Sequence, residues 1–209
     1  MPSDPHGVGV LVLVVGPSGA GKDSLMDAVR SKFRNRRELV FARRCITRAA
    51  DAGGEDHEYL TVDQFQKTQR NGGFLLHWQA YGMFYGIPAL YRDNLSAGTI
   101  VVANVSRMVL NQARRRFPSR LIVYVTASPE TLAVRLACRG RETIAGVDMR
   151  LRRAISTRPS GSDVLTVIND GALEDAADQF ESILRGIAAR ISSDGRQSQE
   201  SNGHEAPAH

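Results

Sequence analysis

The run VGVLVLVV at residues 8–15 leads straight into the turn GPSGAGK at 16–22. Five valines in eight positions favour a strand, and a strand with no polar face must be covered on both sides. The run is too short to cross a bilayer and lacks the charged start and small-residue cleavage site of an export signal. Gly16, Gly21 and Lys22 match the spacing G-x-x-x-x-G-K-[ST], in which turn amides and a helix N-terminus cradle phosphate groups. A buried strand, that turn and a helical pattern over 21–33 leave few options: an α/β P-loop NTPase fold, three layers around a parallel sheet.

The rest of the chain fits this frame. Apolar β-branched segments at 38–46, 98–105, 120–126 and 163–168 alternate with helical patterns at 62–71, 106–116, 129–138, 147–157 and 172–190. Ser128, Pro129 and Glu130 supply a cap, a first-turn proline and a first-turn acid for one of these helices. Residues 1–7 and 192–209 are polar and rich in Pro, Gly and Ser, so they read as disordered ends around a single domain at 8–191.

The charge is +5, and all 27 basic residues except Lys22, Lys32 and Lys67 are arginines. Guanidinium groups bind phosphate with two prongs, so a polyanionic ligand would explain the bias; genomic base composition would explain it equally well. The arginines are scattered, with no basic, aromatic-laced stripe of the kind that reads nucleic acid. Cys45 and Cys138 form no CxxC or Cys/His cluster, which excludes a disulfide framework or zinc site and fits a reducing cytoplasm. No nucleic acid or membrane partner is expected. A homodimer is allowed, although nothing in the sequence fixes the oligomeric state.

The phosphate-loop pattern breaks at one position. Amides from Ser18 through Gly19, Ala20 and Gly21 to Lys22 would face a β-phosphate, with Pro17 shaping the turn and Lys22 reaching the β- and γ-phosphates. The slot for a Mg²⁺-binding hydroxyl holds Asp23, and Ser24 comes one position late. Asp23 is a first-turn acid favoured by the helix dipole, a mark of a decayed loop, or a working carboxylate at the metal. The third strand, whose end supplies a metal-binding acid in many phosphate-loop enzymes, ends here in Asn104, Val105 and Ser106. Asp23 would restore the lost acid from the other side of the site.

GPSGAGK (16–22), CITR (45–48), GGEDHEYL (53–60), YG (85–86), RLACRGRET (135–143) and VIND (167–170) together resemble guanylate kinases over about 8–169. That resemblance implies a small acceptor lobe at about 47–90 and an arginine-rich lid at about 135–150. The base-reading positions depart from it. The guanine-reading glutamate falls near Leu76, the second acceptor-phosphate arginine near Asp51, the acceptor tyrosine near His57 and the strand-three acid near Asn104. A site built to pair a base loses heavily when those partners are gone, so GMP is a poor acceptor. GKDS, TRAADAGGEDHEYL, HWQAYGMFYGIP and VVANVSR resemble a narrower family, the ribose 1,5-bisphosphate phosphokinases of phosphonate utilisation. The implied reaction uses ATP and Mg²⁺ to convert ribose 1,5-bisphosphate to 5-phosphoribosyl 1-diphosphate. An aspartate after the loop lysine is normal in that family, which argues against decay.

Several site expectations follow from this reading. Lys22, Asp23, Arg139 and Arg141 would be catalytic, with Asp23 and Ser24 toward Mg²⁺. Arg135 and Asn169 would join the loop in holding ATP. Arg48 is the first candidate for an acceptor phosphate, with Arg44, Tyr85, Arg107 and Arg150 as further anchors, although Arg44 could equally be a strand-surface charge. Asp56 and His57 would bind ribose hydroxyls or simply solvate a loop. The aromatic cluster HWQAYGMFY (77–85) either stacks a ring or packs the lobe. The competing readings are a nucleoside monophosphate kinase with altered base choice and a non-catalytic binding module of the same fold.

Overall fold

The computed structural model describes residues 9–34, 36, 38–49, 56–138 and 158–202, with side chains as far as 193. Its centre is β1 (Leu11–Val15), every residue of which is buried. Four more strands join it in parallel: β2 (Leu39–Phe41), β7 (Ile100–Asn104), β8 (Arg120–Thr126) and β9 (Val164–Ile168). The sheet order is β2-β7-β1-β8-β9. Alternation along β1 divides the core into two layers. Val12 and Val14 face α1 (Lys22–Lys32) and α6 (Leu173–Asn202), meeting Leu25, Val29, Phe180 and Leu184. Leu11, Leu13 and Val15 face the other side, where Tyr91, Val109 and Leu110 cover them. Those three come from α3 (Tyr91–Ser96), a 3-10 turn (Arg107–Val109) and α4 (Leu110–Arg116).

A second sheet, in the order β4-β3-β6-β5, forms the lobe. It contains β3 (Arg44–Ile46), β4 (His57–Tyr59), β5 (Phe74–Ala80) and β6 (Met83–Pro88), backed by α2 (Val62–Arg70). Phe65 of α2 stacks on Phe74 with ring centroids 4.5 Å apart. Thr61 and Gln64 form a reciprocal capping box at the start of α2.

Four features differ from the sequence expectation. The single strand expected at 38–46 is two strands in different sheets. Ala42 still donates to Val102 of the main sheet, but the Arg43 amide donates to the Tyr91 hydroxyl at 2.8 Å, and the chain leaves the sheet there. Strands β4, β5 and β6 and the short helix α3 were not anticipated; β5 and β6 carry large aromatics on both faces, which masks a period of two. The helix expected at 106–116 begins as the 3-10 turn, with Ser106 capping Met108. The last helix runs on to Asn202, past the tail boundary expected at 192. The helix expected at 147–157 and most of the lid lie outside the described residues.

Candidate active site

The C-terminal ends of β1, β7 and β8 meet at one edge of the main sheet, the edge where open α/β sheets bind ligands. The loop from Gly16 to Gly21 crosses this edge and passes into α1. Gly16 must be glycine because a Cβ there would run into the Val125 carbonyl. Gly21 adopts φ 81° at the helix N-cap, where a side chain would meet the Asn169 amide.

A cleft of about 270 Å³ opens between this loop and the lobe. Gly16, Pro17, Ser18, Gly19, Gly21, Lys22 and Asp23 line the loop wall. Lys22 Nζ donates to the carbonyls of Gly16 (3.0 Å) and Pro17 (2.9 Å), which holds the ammonium inside the loop's curve. Asp23 Oδ1 accepts from Asn104 Nδ2 at 2.6 Å. The two positions singled out as exchanged between loop and strand are therefore in direct contact.

Two residues of this stretch lie off the cleft lining. Ala20 has its side chain buried in the core and does not line the cleft; its carbonyl accepts from Asn169 Nδ2 at 2.8 Å. Ser24 faces solvent and does not line the cleft either, because one further helical position turns it about 100° from Asp23.

Asn169 and Arg135 stand behind the loop. Asn169 is only 2% exposed, and Arg135 Nη1 donates to its carbonyl at 2.9 Å. Their visible task is to brace the loop against β9 and α5 (Pro129–Cys138). Beside them the Asp170 carboxylate accepts from the Ser128 amide, which holds its pKa below the usual carboxylate value.

On the lobe wall, Arg44, Arg48 and Tyr85 line the cleft, and Arg107 enters from the 3-10 turn after β7. Trp78 and Tyr85 stack at 5.4 Å and 5°. The Arg44 guanidinium lies over both rings, at 6.0 and 5.7 Å, and donates to the Asn104 carbonyl at 3.1 Å. Arg44 is thus a cleft residue and not a loose surface charge. Leu76 shares the face of Trp78 but is fully buried, two positions deeper.

Asp56 and His57 do not line the cleft. Asp56 pairs with Arg43 at 2.9 Å. His57 is 5% exposed, and its Nε2 lies 2.9 Å from the Arg48 carbonyl, so it fixes the backbone under a cleft arginine. Arg139, Arg141 and Arg150 lie outside the described residues.

The sequence reading left the cluster at 77–85 open between stacking a ring and packing the lobe, and Trp78 packs the lobe against Tyr85. It did not single out Tyr81 within that cluster, which is 68% exposed and lines the cleft with φ 52°. The signal was present: Tyr81-Gly82 is a two-residue turn between strands, with Gly82 at φ 74°.

Among the described residues there is no cluster of three or more His, Cys, Asp or Glu able to hold a metal ion, and Asp23 is the only carboxylate lining the cleft. One carboxylate suits Mg²⁺, which takes its other oxygens from phosphates and water.

A model of the guanylate kinase family matches residues 9–186. A ribose 1,5-bisphosphate phosphokinase from Rhizobium etli is 44% identical over 183 residues, 88% of this chain and 93% of that one. The corresponding protein of Acidiphilium cryptum is 48% identical over 176 residues, 84% of this chain and 92% of that one. The chain belongs to the ribose 1,5-bisphosphate phosphokinase group of the guanylate kinase family. A bifunctional ribose 1,5-bisphosphokinase-thymidine phosphorylase from Azorhizobium caulinodans matches this kinase at 42% identity over 185 residues, 88% of this chain but 27% of its own length. Guanylate kinase from Anaplasma phagocytophilum shares the fold, with a TM-score of 0.61 and 21% identity over 88% of each chain. No helix among the described residues of the kinase is long and apolar enough to cross a membrane.

Proposed function

We propose that this kinase transfers the γ-phosphoryl group of ATP to ribose 1,5-bisphosphate, giving 5-phosphoribosyl 1-diphosphate and ADP. One observation supports the acceptor most directly. The lobe wall opposite the phosphate loop offers Arg44 and Arg48, with Arg107 beside them, and among the described residues no carboxylate to read a base edge. Arg44 lies across the Trp78 and Tyr85 rings, in the region where a base would have to stack. A cationic wall of this kind suits a small, doubly phosphorylated acceptor.

The acceptor's 1-phosphate oxygen is ionised at neutral pH, so no general base is needed. That oxygen attacks the γ-phosphorus, the bond to the β–γ bridging oxygen breaks, and ADP leaves with the electron pair. Catalysis is then positioning and charge neutralisation. The loop amides and Lys22 hold the donor phosphates, Arg48 and Arg44 hold the acceptor phosphates, and Arg107 supplies a further cation. Asp23 is the residue that would hold Mg²⁺, which would supply neutralisation of the donor phosphates' charge.

The test offers purified protein ATP and Mg²⁺ with ribose 1,5-bisphosphate, ribose 1-phosphate, GMP or AMP, with products read by ³¹P NMR. Only ribose 1,5-bisphosphate should yield a new diphosphate and ADP. Phosphorylation of GMP or AMP instead would overturn the assignment.

A further inference from the structure

We propose that Asn104 is a positioning residue for the metal-site carboxylate of Asp23, and that the two positions work as a pair carrying one acid between them. This rests on the kinase reading above, although not on the identity of the acceptor. In many phosphate-loop enzymes the residue after the loop lysine is a hydroxyl and the strand-end residue is an acid. Here the acid has moved to the loop and a neutral amide stands at the strand end, and the two touch at 2.6 Å.

The chemistry of that contact restricts what the positions can hold. An amide N-H donates to a carboxylate, so Asn104 fixes Oδ1, and that bond leaves Oδ2 unengaged. A second carboxylate at 104 would face the first at the same distance, and two such charges cannot both stay ionised without a proton or cation between them. Two neutral residues would leave no acid lining the cleft. One acid and one donor is the arrangement that satisfies both limits.

Asn104 is well placed for this task. It is 6% exposed at the end of β7, and its neighbour Val105 donates to the Val14 carbonyl at 3.0 Å. Its own carbonyl accepts from Arg44 Nη1 at 3.1 Å. The same residue therefore touches the donor side through its amide and the acceptor side through its carbonyl, and a shift at 104 would disturb both.

The experiment uses the full-length protein and four variants: Asp23→Ser, Asn104→Leu, Asn104→Asp, and the double exchange Asp23→Ser with Asn104→Asp. Mn²⁺ binding with a non-hydrolysable ATP analogue is read from loss of the free-ion EPR signal. Circular dichroism and metal-free binding of the analogue check the fold. Asp23→Ser and Asn104→Leu should each weaken Mn²⁺ binding by about 10–100-fold, the range seen when a ligand's supporting partner is lost. The double exchange should bind Mn²⁺ more tightly than Asp23→Ser alone. The Asn104→Asp protein, with two facing carboxylates, should melt at lower temperature without metal and recover with Mn²⁺.

Wild-type Mn²⁺ binding in Asn104→Leu, or a double exchange no better than Asp23→Ser, would overturn the pairing. Asn104→Ala removes the same donor without added bulk and is read in the same way if the Leu variant does not fold. No acceptor is present in these assays, so a wrong acceptor assignment and a wrong pairing give separate results.

Discussion

Arg44 shows how one side chain changes what a lobe can recognise. Its guanidinium is planar and always charged, so it can lie over the Trp78 and Tyr85 rings and still direct N-H groups at an anion. Lysine keeps the charge but loses the stack and the fork. Arg44→Lys should therefore raise the acceptor KM by about tenfold or more, the loss expected when a charged hydrogen-bond donor is misplaced. The KM for ATP should change little. Steady-state kinetics with each substrate varied in turn would show the split, and equal changes in both would place Arg44 outside the acceptor site. His57, by contrast, serves the site through the Arg48 backbone.

Two elements carry predictions of their own. The β5–β6 hairpin turns on Tyr81 at φ 52°, a conformation asparagine tolerates and a bulky residue resists. Tyr81→Asn should relieve about 0.5–1 kcal/mol of that strain. Melting temperature should rise while the acceptor KM worsens, because the exposed ring leaves the cleft. A rise in melting temperature with unchanged kinetics would show that the ring does nothing for the acceptor. The second element is the junction of α4, β8 and β9, where Asp163 accepts from Arg114 and Arg120. The hydrogen bond from Arg114, above all, holds the Asp163 pKa below its ordinary 3.8. The folded value is depressed, so this stabilisation is complete above the unfolded value and fades as pH falls toward the folded one. Asp163→Asn should lower the melting temperature at neutral pH, and the gap from wild type should narrow below about pH 4. A gap that stays constant down to pH 2 would remove Asp163 as its source.

For the whole molecule, four of its many scattered cations converge on one site. Lys22, Arg44, Arg48 and Arg107 all line a cleft in which Asp23 is the single acid among the described residues. A cleft of one sign between low-dielectric walls draws in anions, and salt weakens that attraction. Raising salt from about 0.1 M to about 1 M shortens the screening length from about 10 Å to about 3 Å. The acceptor KM should rise steeply over this range while kcat changes less, since groups in contact are screened poorly. Initial rates across a salt series would test this, and a flat acceptor KM would argue against electrostatic capture.

The phosphate loop, its strand and its helix were legible because they are local: the glycines, the lysine and the valine run lie within fifteen consecutive residues. The exchange of acid between Asn104 and Asp23 could also be suspected from residue types alone, since each breaks a pattern fixed by the chemistry of its position. Their contact at 2.6 Å could not, because 81 positions separate them and only the parallel pairing of β1 with β7 brings them together. The same limit hid the second sheet, the division of 38–46 between two sheets, and the structural roles of His57 and Asn169. A sequence shows which groups a chain owns. Which of them point into one cleft is decided by strand order and burial, which depend on every segment that packs against them.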